Sequence, residues 1–184
     1  QIPDVWAQTK SSLMTACNTK AKFILYTESD KELFFSGALQ NFITAAPDTA
    51  ALVFPARSTS SLRTFPESQV YTEGVINELC SWFVGVHADF SYGPILINRR
   101  LIPYLSLLPD DVGWGWRFFL YGIAARLGWE LFPIVDDLVC PDEQRANTRA
   151  EQLHRMKQLR QNIQGLLHSQ VVSDLDIESV QSDS

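Results

Sequence analysis

Phe23-Ile24-Leu25-Tyr26-Thr27-Glu28-Ser29-Asp30-Lys31 is a run of four strand-forming residues that empties into alternate acids. In an extended chain every second side chain points the same way, so Glu28 and Asp30 fall on one side of it. Two converging carboxylates at a strand end are oxygen ligands that suit Mg²⁺ or Mn²⁺, which complete their shells with phosphate and water. The same residues have a second reading as a helix start, with Ser29 or Asp30 capping and Glu32 in the favourable first turn.

Outward from this stretch the chain alternates. Leu52-Val53-Phe54 and Ile95-Leu96-Ile97 are further apolar runs of strand length, and segments with helical spacing separate them. That alternation predicts an α/β fold, a layered mixed sheet flanked by helices. Residues 33–46 carry Leu39, Phe42, Ile43 and Ala46 at three- and four-residue steps, and residues 68–83 repeat the pattern with Val75, Ile76, Leu79, Cys80 and Phe83. Gly113-Trp114-Gly115-Trp116-Arg117 sets two large rings beside glycines and then runs into another helical stretch. Such a turn suits a sugar platform, and equally a helix entry with two core tryptophans. Residues 143–167 read as a long polar helix with an inward stripe of Leu153, Met156, Leu159, Ile163, Leu166 and Leu167. Residues 1–170 are expected to form the folded domain and 171–184 a flexible acidic tail.

Bulk properties narrow the function classes. The 184 residues are 46% hydrophobic and 20% charged, the balance of a globular core. A formal charge of -6, with no segment concentrating Lys and Arg, argues against a nucleic-acid partner. Cys17, Cys80 and Cys140 lack the paired spacing of a zinc site or disulfide framework, so free thiols in a reducing compartment are expected. No apolar run approaches a membrane span and the start has no signal-peptide pattern, which makes the expected location cytoplasmic.

Five segments carry a family resemblance: Ile24-Leu25-Tyr26-Thr27-Glu28-Ser29-Asp30-Lys31-Glu32, Pro55-Ala56-Arg57-Ser58, Tyr92-Gly93-Pro94-Ile95-Leu96-Ile97-Asn98-Arg99, Gly113-Trp114-Gly115-Trp116-Arg117 and Glu151-Gln152-Leu153-His154-Arg155. Together they resemble the nucleotide-diphospho-sugar glycosyltransferases of the GT-A fold, in particular bacterial and cyanobacterial glucosylglycerate- and mannosylglycerate-forming relatives. The resemblance implies a metal-dependent transferase that moves a hexose from a nucleotide sugar to a hydroxyl or glycan acceptor. Glu28 and Asp30 fall on the two acidic positions of the family's Asp-x-Asp element, where Asp30 matches and Glu28 departs. His154 resembles the third metal ligand, and the implied cation is Mn²⁺ or Mg²⁺. Asp111, followed by Asp110, is the implied general base. Lys31, Trp114, Trp116, Arg117 and Arg155 are the implied substrate-binding residues, and Glu73, Asn77 and Arg99 are weaker candidates for the acceptor side.

Arg117 stands where some relatives carry an acid. The family's opening nucleotide-binding strands have no counterpart ahead of the helix at Val5–Cys17, so a partial fold is expected. An uncovered sheet edge would invite self-association. The alternative is therefore a truncated or degenerate transferase domain acting as a non-catalytic interaction or homo-oligomerisation module.

Overall fold

A computed structural model describes residues 5–182 of the chain. The three expected strands form as β1 (Phe23–Tyr26), β2 (Leu52–Arg57) and β3 (Ile95–Asn98), and β4 (Leu131–Asp136) joins them. Pro133 hides β4 from a reading of the sequence. Proline is tolerated there because β4 lies at the sheet edge, parallel to β2. Pro55 sits in β2, yet β3 pairs with β2 only over Leu52 and Val53, so no donor is needed beyond them.

The strand order is β1-β3-β2-β4, with β3 antiparallel to both its neighbours. The C-terminal ends of β1, β2 and β4 and the start of β3 consequently share one edge. Ligands of open α/β sheets bind at such an edge, because the loops leaving the strands diverge there.

Side chains alternate across the sheet as the two-residue period requires. Leu52, Phe54, Ile95 and Ile97 enter a large core with α1 (Val5–Cys17), α4 (Glu67–Val84) and α5 (Trp116–Arg126). Val53 and Leu96 face the other way, onto Phe34 and Phe42. The expected helix over 33–46 is a π-helical turn, Phe34–Ala38, that runs into α2 (Leu39–Ala45). The wider turn changes the helical phase, so Phe34 and Phe42 are buried while Ile43 points outward. A short α3 (Thr59–Leu62) follows β2, and 3₁₀ turns span Arg99–Leu107 and Gly113–Gly115.

One expectation about the C-terminal third needs correction in part. The long helix is α6 (Arg149–Val171), begun by the Thr148 hydroxyl, which accepts from the Glu151 backbone N–H. Its apolar stripe faces the core only in part: Leu166 is buried and Leu159 packs on the core, whereas Leu153, Met156, Ile163 and Leu167 are exposed, and Gly165 and Ser169 complete the buried face. The reason is close approach. A Cβ on Gly165 would lie 1.9 Å from the Gly115 carbonyl oxygen, so the small-residue face is the one that fits against the start of α5. Beyond α6, within the stretch expected to be a flexible acidic tail, residues 174–182 form α7 (Asp174–Ser182), and residues 183–184 lie outside the described residues. Ile177 is buried in the main core, and Asp174 pairs with Arg126. No helix of the described residues is long and apolar enough to cross a membrane.

Gly165→Ala is expected to destabilise the fold by about 1–3 kcal/mol, because the methyl meets backbone that cannot rotate away. Leu153→Ala, on the exposed face, should stay within about 0.5 kcal/mol. Urea unfolding midpoints check both.

Candidate functional site

A charged residue at the end of an apolar strand organises the sheet edge. Arg57 closes β2 with 4% of its surface exposed, and its Nε and Nη2 donate to Asp89 at 2.6 and 2.9 Å. Its Nη2 also reaches Glu73 on α4 at 2.6 Å, while its backbone N–H donates to Asp89 at 3.1 Å. Asn77 Nδ2 donates to Asp89 at 2.9 Å, and Asn77 Oδ1 accepts from the Phe90 N–H and the Ser91 hydroxyl, both at 2.9 Å. Burial alone would raise the Asp89 carboxyl. The Arg57 charge and the hydrogen bonds from Arg57 and Asn77 outweigh it and hold the group below the usual carboxylate range.

Above this floor lies a cleft of about 460 Å³, within the range of small-ligand sites. The loop after β1 brings Glu28, Asp30 and Lys31 to it; the segment before β3 brings Ser91, Tyr92 and Gly93; the chain after β4 brings Gln144. Trp114 and Arg117 enter from the start of α5, and His154, Arg155, Gln158 and Asn162 from α6. Burial pushes the Tyr92 phenol up to about 12, so it remains a neutral hydroxyl at ordinary pH.

Seven of the ten expected site residues therefore meet: Glu28, Asp30, Lys31, Trp114, Arg117, His154 and Arg155. The other three do not line the cleft. Trp116 is no platform, because the first turn of α5 rotates it into the core, where it stacks on Trp6 at 6.4 Å and meets Tyr26 edge-on at 4.8 Å. Asp110 and Asp111 are exposed on the preceding turn, Asp110 beside Lys10 at 3.6 Å. Of the weaker candidates, Glu73 lines the cleft, Asn77 braces its floor, and Arg99 donates to the Thr19 carbonyl instead.

The expected metal ligands line one cleft without forming a ligand set. Among the described residues no three His, Cys, Asp or Glu side chains group so as to hold a metal ion. The gap between the carboxylates is filled: Lys31 Nζ lies 3.2 Å from Glu28 Oε2 and 2.8 Å from Asp30 Oδ2. Neither Ser29 nor Asp30 caps the following helix; Asp30 also accepts from Gln144 Nε2 at 3.3 Å. A divalent ion between these carboxylates would have to displace that ammonium from both of them. The residues as arranged do not fit a metal.

Sequence reading missed Arg57, Gln69, Tyr92, Gln144, Gln158 and Asn162 as cleft residues. The available signal was an arginine closing an otherwise apolar strand, a position that demands a buried acidic partner. The amide residues gave no signal, because their convergence depends on where α4 and α6 cross. No protein-family model matches the chain, and no curated protein matches it.

Asp89→Asn is expected to cost about 3–5 kcal/mol, because it leaves Arg57 buried beside a neutral amide. The sign with pH follows from the depressed carboxyl. Its stabilisation is complete above the unfolded value of about 3.9 and fades as pH falls through the lower folded value. Chemical unfolding from pH 7 down to pH 3 should show the wild type losing stability at the acid end, with a shallower loss in Asp89→Asn.

Proposed function

We propose that the cleft at the ends of β1, β2 and β4 transfers a hexose from a nucleotide-diphospho-sugar to a hydroxyl acceptor, in a GT-A-like arrangement. The observation that carries this reading is the convergence of Glu28, Asp30, Lys31, Trp114, Arg117 and Arg155 on one polar cleft at the C-terminal edge of the sheet. Transfer breaks the bond from the sugar's anomeric carbon to the phosphate oxygen, and the electron pair leaves on the diphosphate. The acceptor oxygen forms the new bond, and its proton passes to an oxygen of the departing diphosphate. Lys31, Arg117 and Arg155 supply positive charge where the diphosphate develops negative charge, and charge placed in advance is the most effective form of such stabilisation. Trp114 offers a flat apolar face to a sugar ring, and Gln69, Gln158 and Asn162 supply paired donors and acceptors for hydroxyls.

A second reading, a non-catalytic interaction module, is favoured by exposed apolar surface. Tyr71 and Trp82 on α4 are 73% and 67% exposed, and α6 presents Leu153, Met156 and Leu167 to solvent. Exposed apolar patches of this kind mark association surfaces.

Thermal unfolding with UDP or GDP separates the two. Under the transferase reading, one of these nucleotides at about 100 times its dissociation constant stabilises the protein by about 2.7 kcal/mol. Arg155→Ala should weaken binding by about 1.5–3 kcal/mol, the value of a charge-assisted hydrogen bond. No shift with either nucleotide at millimolar concentration, together with a defined oligomer on sizing chromatography, selects the module instead.

A further inference from the structure

We infer that Lys31 is the resident cation of the cleft: its ammonium holds Glu28 and Asp30 in the place a divalent ion would take, and the cleft binds its anionic ligand without a metal. Three independent features point there. Lys31 Nζ bridges the two carboxylates at 3.2 and 2.8 Å, and its side chain is only 15% exposed, so the pair is seated in the wall rather than waving in solvent. Glu28 meets a second cation on its other oxygen, Arg117 Nη1 at 4.0 Å from Oε1, so both of its oxygens face positive charge. The facing backbone is shaped around the bridge: a Cβ at Gly93 would fall 2.5 Å from Glu28 Oε2 and 2.8 Å from Lys31 Cε.

An ammonium has three N–H donors, of which one is donated to Asp30 while Glu28 lies within ion-pair distance. Another, with Arg117 and Arg155 on the same cleft, can meet phosphate oxygens directly. A bound divalent ion would have to displace the ammonium from both carboxylates. His154 does not complete a ligand set with them among the described residues.

The choice of a diphosphate as the ligand rests on the transferase reading, whereas the metal test needs no donor and stands or falls separately from nucleotide binding. Mn²⁺ alone is titrated into the full chain and free Mn²⁺ is followed by electron paramagnetic resonance. Wild type and Lys31→Arg, which keeps the charge, should take up no stoichiometric Mn²⁺ at millimolar concentration. Lys31→Met, which keeps the stem and removes the charge, should bind one Mn²⁺ at least tenfold more tightly than wild type, and adding Asp30→Ala should abolish that site. Stoichiometric Mn²⁺ binding by the wild type that Asp30→Ala removes would overturn the inference on its own, even should Lys31→Met fail to fold. A less than twofold difference between folded wild type and Lys31→Met would overturn it as well, since Lys31 would then not be what keeps the metal out.

Discussion

Arg57 is a full positive charge withdrawn from water at the end of a strand, and the shape of the cleft depends on how that charge is answered. Asp89 comes from the loop before β3 and Glu73 from α4, so one guanidinium ties two separate elements to the end of β2. Removing a buried charge from water is costly, and only close, well-aligned partners compensate. Because Asp89 accepts from the side chain and the backbone of Arg57 together, the loop that leads to Tyr92 and Gly93 has one position relative to the strand. Gly93 is thereby set against Glu28 and Lys31. The electrostatics of the floor and the sterics of the upper wall are one constraint.

The opposite wall is positioned by a different force. α6 approaches α5 through Gly115, Gly122, Gly165 and Ser169, where backbone and small side chains touch. That contact orients the first half of α6 so that His154, Arg155 and Gln158 overlook the cleft. The same orientation turns Leu153, Met156 and Leu167 outward. Site-facing polarity and an apolar outer face are two consequences of one helix rotation. Tyr71 and Trp82 on α4 are exposed as well.

Much of the fold was legible in advance. Strands β1, β2 and β3, the helices between them and the acidic strand end follow from local rules: apolar runs of strand length, three- and four-residue apolar spacing, and alternation across an extended chain. Those rules operate on neighbours in sequence. They fail where a proline masks an edge strand, as at Pro133, and where a π turn shifts the phase, as at Ile43. They fail in part along α6, where apolar periodicity names the buried Leu166 but also the exposed Leu153, Met156 and Leu167.

By itself the sequence determined the composition of a globular α/β chain and which residues sit at the strand end: Glu28, Asp30 and Lys31 are contiguous, so any fold carrying β1 presents them together. Only the tertiary structure decided what those residues are next to. Arg117 reaches Glu28 from 89 positions away, Gly93 makes room for the lysine bridge, and Trp116, Asp110 and Asp111 are directed elsewhere although their sequence neighbour Trp114 is not. Contacts between residues distant in the chain are set by helix crossings and buried charge pairs, and the geometry of these is a sum over the whole core that no local pattern contains.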